Sequence, residues 1–474
     1  SGMMEIARKG IFNHEAFFFS DIIIIFLSVM ITDILILDLF NSWGLPTSTT
    51  VSIVFELLGA AVIMSIIKIM GSDGNMAEIE NYINVQKATE IVIGILLSVL
   101  VAFSIGAIIQ WLSRLVLTFD FESKSILLNS IFGSLSFTSI INFILIKGIK
   151  GTPYSSESYS ALNNMTINEF IDSNIILFWI ISLIFWFLIS FLICKLFKLD
   201  IYKIIIAIGT FSLALAFAGN DLVNFIGVPI AAIESFQSWS SSSISATEFS
   251  MISLSEKVNT PPIYLFISGL IMVITLWFSS KAKNVVKTSL DLSNQNEIDE
   301  KFQSNFIGRL LVNFGLSLNK VFIKIIPDKI LHKINQSFKF NSNLNIEKSI
   351  DGTRPSFDKL RASLNLVIAA ILISVATSYK LPLSTTYVTF MVAMGTSLSD
   401  RAWTNNSAVY RVSGVVSVIG GWFFTAFSAF SICGLIVFII HSTGLIGVII
   451  TLAIVALMIV RNHINFKKKG EIKI

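Results

Sequence analysis

The chain has 474 residues, 54% of them hydrophobic and 14% charged, with a formal net charge of +4. A soluble chain of this length would make two or three domains with about a quarter of its residues charged. The shortage of charge excludes that class and leaves a polytopic, all-α membrane protein.

A span needs roughly 20 apolar residues to cross about 30 Å of hydrocarbon. Runs of this kind lie near residues 17–40, 45–70, 89–117, 125–149, 173–197, 201–233, 262–280, 360–380, 382–398, 408–441 and 444–460. Eleven stretches need not be eleven crossings. The second and ninth open on a repeated phrase, Leu45-Pro46-Thr47-Ser48-Thr49-Thr50 and Leu381-Pro382-Leu383-Ser384-Thr385-Thr386. The register continues, since Gly59 and Gly395 each stand 14 residues after the leucine that opens the phrase. A matched pair of this kind marks two related halves, with re-entrant or broken helices expected at the P-x-S-T-T elements. Irregular backbone at membrane depth is tolerated only where it lines a cavity or is buried in protein.

In the sixth run the apolar residues 204–217 pass without a change of register into Ala218-Gly219-Asn220-Asp221-Leu222-Val223-Asn224. Polar groups at that depth are expensive and mark function. Asp221 and Asn224 are three apart and share a helix face. Glu56 is another acid at apparent membrane depth, either lining the pathway or facing an aqueous vestibule. Asp33 and Asp38 are expected near an interface. Cys194 and Cys433 lie in apolar runs and read as small core residues. The four histidines are scattered with no paired-ligand spacing, so no metalloenzyme motif is present.

Between Lys281 and Arg361 fourteen basic residues stand against eight acids, which places this stretch in the cytoplasm. Arg8 and Lys9, the Lys195, Lys198 and Lys203 group, and the Lys467-Lys468-Lys469 tail follow the same rule. Residues 71–84, with Asp73, Glu78 and Glu80, face outward, as do the serine-rich residues 238–250. Arg8 and Asp73 agree only if 45–70 is a hairpin. Within the basic stretch Ile307, Leu310, Leu311, Phe314, Leu318, Val321, Phe322 and Ile325 recur at helical spacing between Arg309, Lys320 and Lys324, an amphipathic helix. Packing on the cytoplasmic face of the spans is favoured for it over the lipid interface. No nucleic-acid motif accompanies the charge.

A tetrahedral oxyanion needs convergent donors. Ser48, Thr49, Thr50, Ser384, Thr385 and Thr386 supply hydroxyls, and the proline before each group is suited to a helix start. A half-helix beginning there aims its free N–H groups and positive dipole end at an anion. One copy alone reads as a plain helix cap; the in-register pair reads as a site. A carboxylate facing the anion makes sense if Asp221 accepts a hydrogen bond from a protonated oxygen of the substrate, or if a cation lies between the charges. An Asp buried as a cap against a neighbouring helix is the alternative.

These residues resemble the inorganic phosphate transporter family, whose signatures are a G-x-N-D-x-x-N element, matched at Gly219 to Asn224, and a P-x-S-T-T element, matched at Pro46 to Thr50 and Pro382 to Thr386. The likeness spans most of the chain except the polar stretch near 284–357. It implies a phosphate permease coupled to sodium or protons, sodium being favoured, with alternating access around a midplane site. The substrate residues it implies are Asp221, Asn224, Ser48, Thr49, Thr50, Ser384, Thr385 and Thr386, and the ion candidates Asn220, Asp221, Asn224 and Glu56. No catalytic residue or cofactor is expected, and no P-loop argues for ATP drive. The expected partners are phosphate, the coupling ion and the bilayer, with no nucleic acid and with homodimerisation left open. The expected location is a bacterial inner membrane. Permeation of sulfate or another oxyanion, and a receptor or scaffold role, are the alternatives.

The family carries G-x-N-D twice, and only about 44 residues precede Pro46 here. The expectation is a chain shortened at its start, with Ser48, Thr49 and Thr50 short of partners and transport lost. The reading divides the chain into a first half (1–200), the opening of a second half (201–283), a cytoplasmic stretch (284–357) and the remainder of the second half (358–474).

Overall fold

The computed structural model describes residues 11–150, 157–159, 165–252, 261–294, 303–339, 355–378, 383–401 and 407–471. Fourteen longer helices carry the architecture: α1 (Phe19–Trp43), α2 (Thr49–Gly71), α3 (Val85–Leu117), α4 (Ile126–Lys150), α5 (Ile175–Lys195), α6 (Ile201–Ser240), α7 (Pro262–Phe278), α8 (Ser280–Ser293), α9 (Phe306–Ile325), α10 (Asp328–Ser337), α11 (Lys359–Ser378), α12 (Thr385–Ser399), α13 (Ala408–Thr443) and α14 (Leu445–Glu471). Each of the eleven apolar stretches of the sequence carries a helix among its described residues, and the predicted amphipathic segment is α9. Eight helices among the described residues, α1, α2, α3, α5, α6, α11, α13 and α14, are long and apolar enough to cross a membrane. A ninth crossing arises if α7 and α8, bent by 68° at Ser279, count as one span. The bend has a local cause, because the Ser279 hydroxyl accepts from Ala282 N and so starts a new helix.

Two hairpins organise the centre. In the first, α1 ends on Gly44 in the left-handed conformation (φ 67°), and α2 returns, capped by Ser48. Its base is tied by Lys68 to Asp21 at 2.6 Å. In the second, α11 packs on α12, and its base is tied because Asp358 and Asp400 both bind Arg114 of α3, at 2.5 and 2.8 Å. The hairpins approach α6 from opposite ends. Phe19 N and Ser20 N donate to the carbonyls of Phe249 and Ala246, just past the C-terminus of α6. Lys359 instead pairs with Asp200, the N-cap of α6, at 2.8 Å. Inverted entry is what two related halves of opposite orientation produce.

The register noted in the sequence has a packing cause. Gly59 of α2 lies against α13, where a β-carbon would sit 2.2 Å from the Phe430 carbonyl oxygen; at Gly395 of α12 a β-carbon would sit 2.2 Å from the Phe103 carbonyl oxygen of α3. Each hairpin thus presses its returning helix onto a long helix from a distant part of the chain, at a distance only glycine allows.

The sidedness of the first hairpin differs from the sequence reading, which made 17–40 a crossing and confined the hairpin to 45–70. Phe12 pairs with Ile83 and Phe18 with Ser250, so residues 11–18 share one end of the molecule with 71–84 and 246–250. Arg8 and Lys9 lie outside the described residues. The hairpin is α1 with α2, because the contacts of Asp21 and Phe18 hold the start of α1 beside the end of α2. The basic stretch gathers at the opposite end, where Arg361 and Arg411 donate to the carbonyls of Ser293 and Asn294.

Candidate substrate and ion site

Helix α6 starts at Asp200, whose carboxylate accepts from Tyr202 N at 3.0 Å, and runs 40 residues, putting 220–224 in its middle. Asn220 and Asn224 are buried there and Asp221 is partly buried. The two hairpin tips meet this one turn. Asn224 donates both amide hydrogens to the first, reaching Thr49 Oγ1 and Thr50 Oγ1 at 2.9 Å each. Asp221 accepts from the second, with Thr385 Oγ1 at 2.9 and 3.0 Å from its two oxygens. Asn220 leans on the Leu383 carbonyl at 3.5 Å.

The serines of the repeated phrase do identical local work. Ser48 Oγ accepts from Val51 N and Ser384 Oγ from Tyr387 N, each at 3.1 Å, so both are N-caps. Capping satisfies one amide of each helix and leaves the other first-turn N–H groups pointing out of the helix end. Thr386 is half-buried, and its hydroxyl has no partner among the described residues. The Pro46 carbonyl accepts a hydrogen bond at the first tip; Pro382 lies outside the described residues.

Oxygens suited to a cation face the same turn. Asn224 Oδ1 is buried without a partner. Pro229, inside α6, has no N–H, so the carbonyl of Phe225 lacks its helical donor. With the Asp221 carboxylate these are hard oxygen donors on neighbouring positions of α6. The hydroxyl protons of Thr49 and Thr50 and the two helix starts are instead suited to an anion. No Lys or Arg occurs in the motifs, so an anion held here is held by dipoles, hydroxyls and any accompanying cation.

Glu56 is not part of this cluster. It lies two turns further along α2, fully buried, taking Ser52 Oγ at 2.6 Å and leaving Oε2 unpartnered. It interacts electrostatically with Asp33 of α1. Asp33, expected near an interface, is 3% exposed, because α2 and α13 pack over that face of α1. Asp38 pairs with Lys281 and Asn462. Thr49 and Thr50 do not lack partners, contrary to the expectation from the single G-x-N-D element: Asn224 of the one α6 turn serves both.

Sequence reasoning missed Trp422. Its Nε1 donates to the Pro46 carbonyl at 2.8 Å, and its ring stacks on Tyr387 of the second hairpin at 3.7 Å, so one indole ties both tips to α13. Thr425, one turn on, meets Thr47 at 3.1 Å. A single tryptophan in an apolar run carries no spacing signal. The Arg114 clamp was missed as well; Gln110 joins it, donating to Asp400 at 2.6 Å. No group of three or more His, Cys, Asp or Glu side chains able to hold a metal occurs among the described residues.

No family model matches the sequence, and no curated protein matches it by sequence. By fold the chain is similar to a solved structure described as "The sodium-dependent phosphate transporter", with a TM-score of 0.56 and 16% identity over 94% of this chain and 86% of the other. At that identity the likeness is one of fold alone, and it agrees with an all-α chain of several membrane-length helices.

Proposed function

We propose that the chain is a secondary transporter that moves inorganic phosphate together with sodium or protons, binding both where the hairpin tips meet α6. The observation that carries this reading is the double engagement of one helix turn, Asn224 with Thr49 and Thr50 and Asp221 with Thr385. It places anion-favouring helix starts and cation-favouring oxygens side by side, between hairpins entering from opposite ends. Movement of one hairpin relative to α6 would open the site to one side while the other keeps it closed, which is alternating access. The fold likeness to a structure titled as a sodium-dependent phosphate transporter supports phosphate and sodium. In this reading Ser48 and Ser384 shape the helix starts, while Thr49, Thr50, Thr385 and Thr386 present donors and Asn220, Asp221 and Asn224 hold the cation. Glu56, an ion candidate of the sequence, stands outside the cluster, bonded to Ser52. The halves divide near residue 200, and the basic stretch 284–357 faces the cytoplasm of a bacterial inner membrane.

Uptake of labelled phosphate by vesicles containing the purified chain, under an inward sodium gradient or an inward proton gradient applied separately, tests the reading. Accumulation under one gradient, blocked by unlabelled phosphate and spared by sulfate, is expected in place of the transport loss read from the sequence, because Asn224 supplies the partners of Thr49 and Thr50 that the loss was argued from. Sulfate competing as well as phosphate would assign a different oxyanion. No uptake under either gradient, with the protein correctly inserted, would remove the proposal.

A further inference from the structure

Packing on the spans was the favoured expectation for α9, and the helix does meet α13, but the described part of its apolar stripe is left uncovered. It touches α13 by a narrow flank: Asn305 N donates to Ser413 Oγ at 3.0 Å, and Gly308 sits so close that a β-carbon would lie 2.1 Å from that oxygen. Around the helix from this flank, Ile307, Leu310, Leu311 and Phe314 form one stripe and all are exposed, Phe314 at 62%. Phe306 before them is 79% exposed. The side chains of Leu318, Val321 and Phe322, which continue the stripe in sequence, lie outside those described. On the opposite face are Arg309, Asn313 and Lys320, also exposed.

An uncovered stripe of this size needs a partner. Two observations say which. The attachment point, Ser413, is in the second turn of α13, a membrane-crossing helix whose Phe423, Phe424 and Phe427 are exposed further along. The stripe is therefore held at the rim of a lipid-facing surface. The second observation is charge: residues 303–339 carry Arg309, Lys320, Lys324, Lys329, Lys333 and Lys339 against one acid, Asp328. Apolar residues on one face with cations behind them are the pattern of a helix lying in the plane of an anionic bilayer surface.

We infer that α9 is an interfacial anchor, with Ile307, Leu310, Leu311 and Phe314 inserted at the acyl-chain boundary and its basic residues on anionic lipid headgroups. The anchor is tied to α13 through Ser413, the helix that also carries Trp422 to the hairpin tips, so lipid charge acts on the element that holds the site.

The test places single cysteines at Leu310, Asn313, Phe314 or Lys320 in the full chain with Cys194→Ala and Cys433→Ala, each labelled with an environment-sensitive fluorophore and reconstituted in vesicles. Labels at 310 and 314 should be quenched by lipids with brominated acyl chains and spared by aqueous iodide, and labels at 313 and 320 the reverse. Phosphatidylglycerol added to phosphatidylcholine should deepen the label at 314, and Lys320→Glu with Lys324→Glu should cancel that gain; these exposed positions leave insertion intact, checked by size-exclusion profile. Three results would overturn the inference: iodide reaching the label at 314, shielding of that label from both quenchers with cross-linking between copies, or the same depth with and without phosphatidylglycerol.

Discussion

The two hairpins share a phrase, a serine cap and a glycine pressed against a carbonyl, yet they meet α6 through opposite chemistry. The first takes its contacts from an amide donor, Asn224; the second gives its hydroxyl to a carboxylate, Asp221. The repeated phrase is therefore a scaffold that presents a helix start, and the partner three residues away on α6 decides which charge that start faces. Their bases differ as well. Lys68 and Asp21 form one partly exposed pair, whereas Arg114, fully buried, holds Asp400 and Asp358 with Gln110 in support.

The contrast at the site gives the largest expected effect. Asp221→Asn removes the only carboxylate of the cluster while keeping its shape, and it should abolish coupled uptake with insertion intact. Uptake within about twofold of wild type, roughly 0.4 kcal/mol in barrier terms, would take Asp221 out of the mechanism.

At the bases, Arg114→Met removes the fully buried guanidinium that binds both Asp400 and Asp358 and should cost about 3–5 kcal/mol. Lys68→Met at the first base should cost about 1 kcal/mol or less. Thermal stability in detergent measures both, and equal losses would erase the distinction between clamped and lightly tied hairpins.

Gly59→Ala and Gly395→Ala test the symmetry instead of the difference. Each added methyl meets a helix carbonyl, and each should cost about 1–3 kcal/mol, by similar amounts. A neutral result at either position would show that its helices can separate freely.

The smallest effect is at Trp422→Phe, which keeps an aromatic ring against Tyr387 and loses the hydrogen bond to Pro46, worth about 1 kcal/mol. A higher KM for phosphate with unchanged protein yield is expected; an unchanged KM would mean that the first tip does not depend on Trp422.

Much of this was legible in the sequence because it is local. A run of about 20 apolar residues has few fates, so every helix that forms the membrane body could be placed. Ser48, Ser384, Asp221 and Asn224 stood out because polar groups at that depth are rare. What escaped depends on contacts between distant segments. Arg114 meets Asp400 across 286 residues and Trp422 meets Pro46 across 376, and neither leaves a periodic trace. The burial of Asp33 escaped because its position near the end of an apolar run says nothing about which helices cover it. The pairing of α1 with α2 as one hairpin escaped for the same reason: counting charges treats each span alone, while the hairpin is fixed by Lys68 and by the pairing of Phe18 with Ser250.

The central claim is that both tips serve one substrate through one turn of α6. Cysteines at Thr49 and at Thr385, made singly with Cys194 and Cys433 replaced, can be challenged with a small thiol reagent over a phosphate titration. One shared site predicts protection at both positions with the same half-saturating concentration. Protection at only one of them, or concentrations differing by more than about tenfold, a gap of 1.4 kcal/mol, would contradict it.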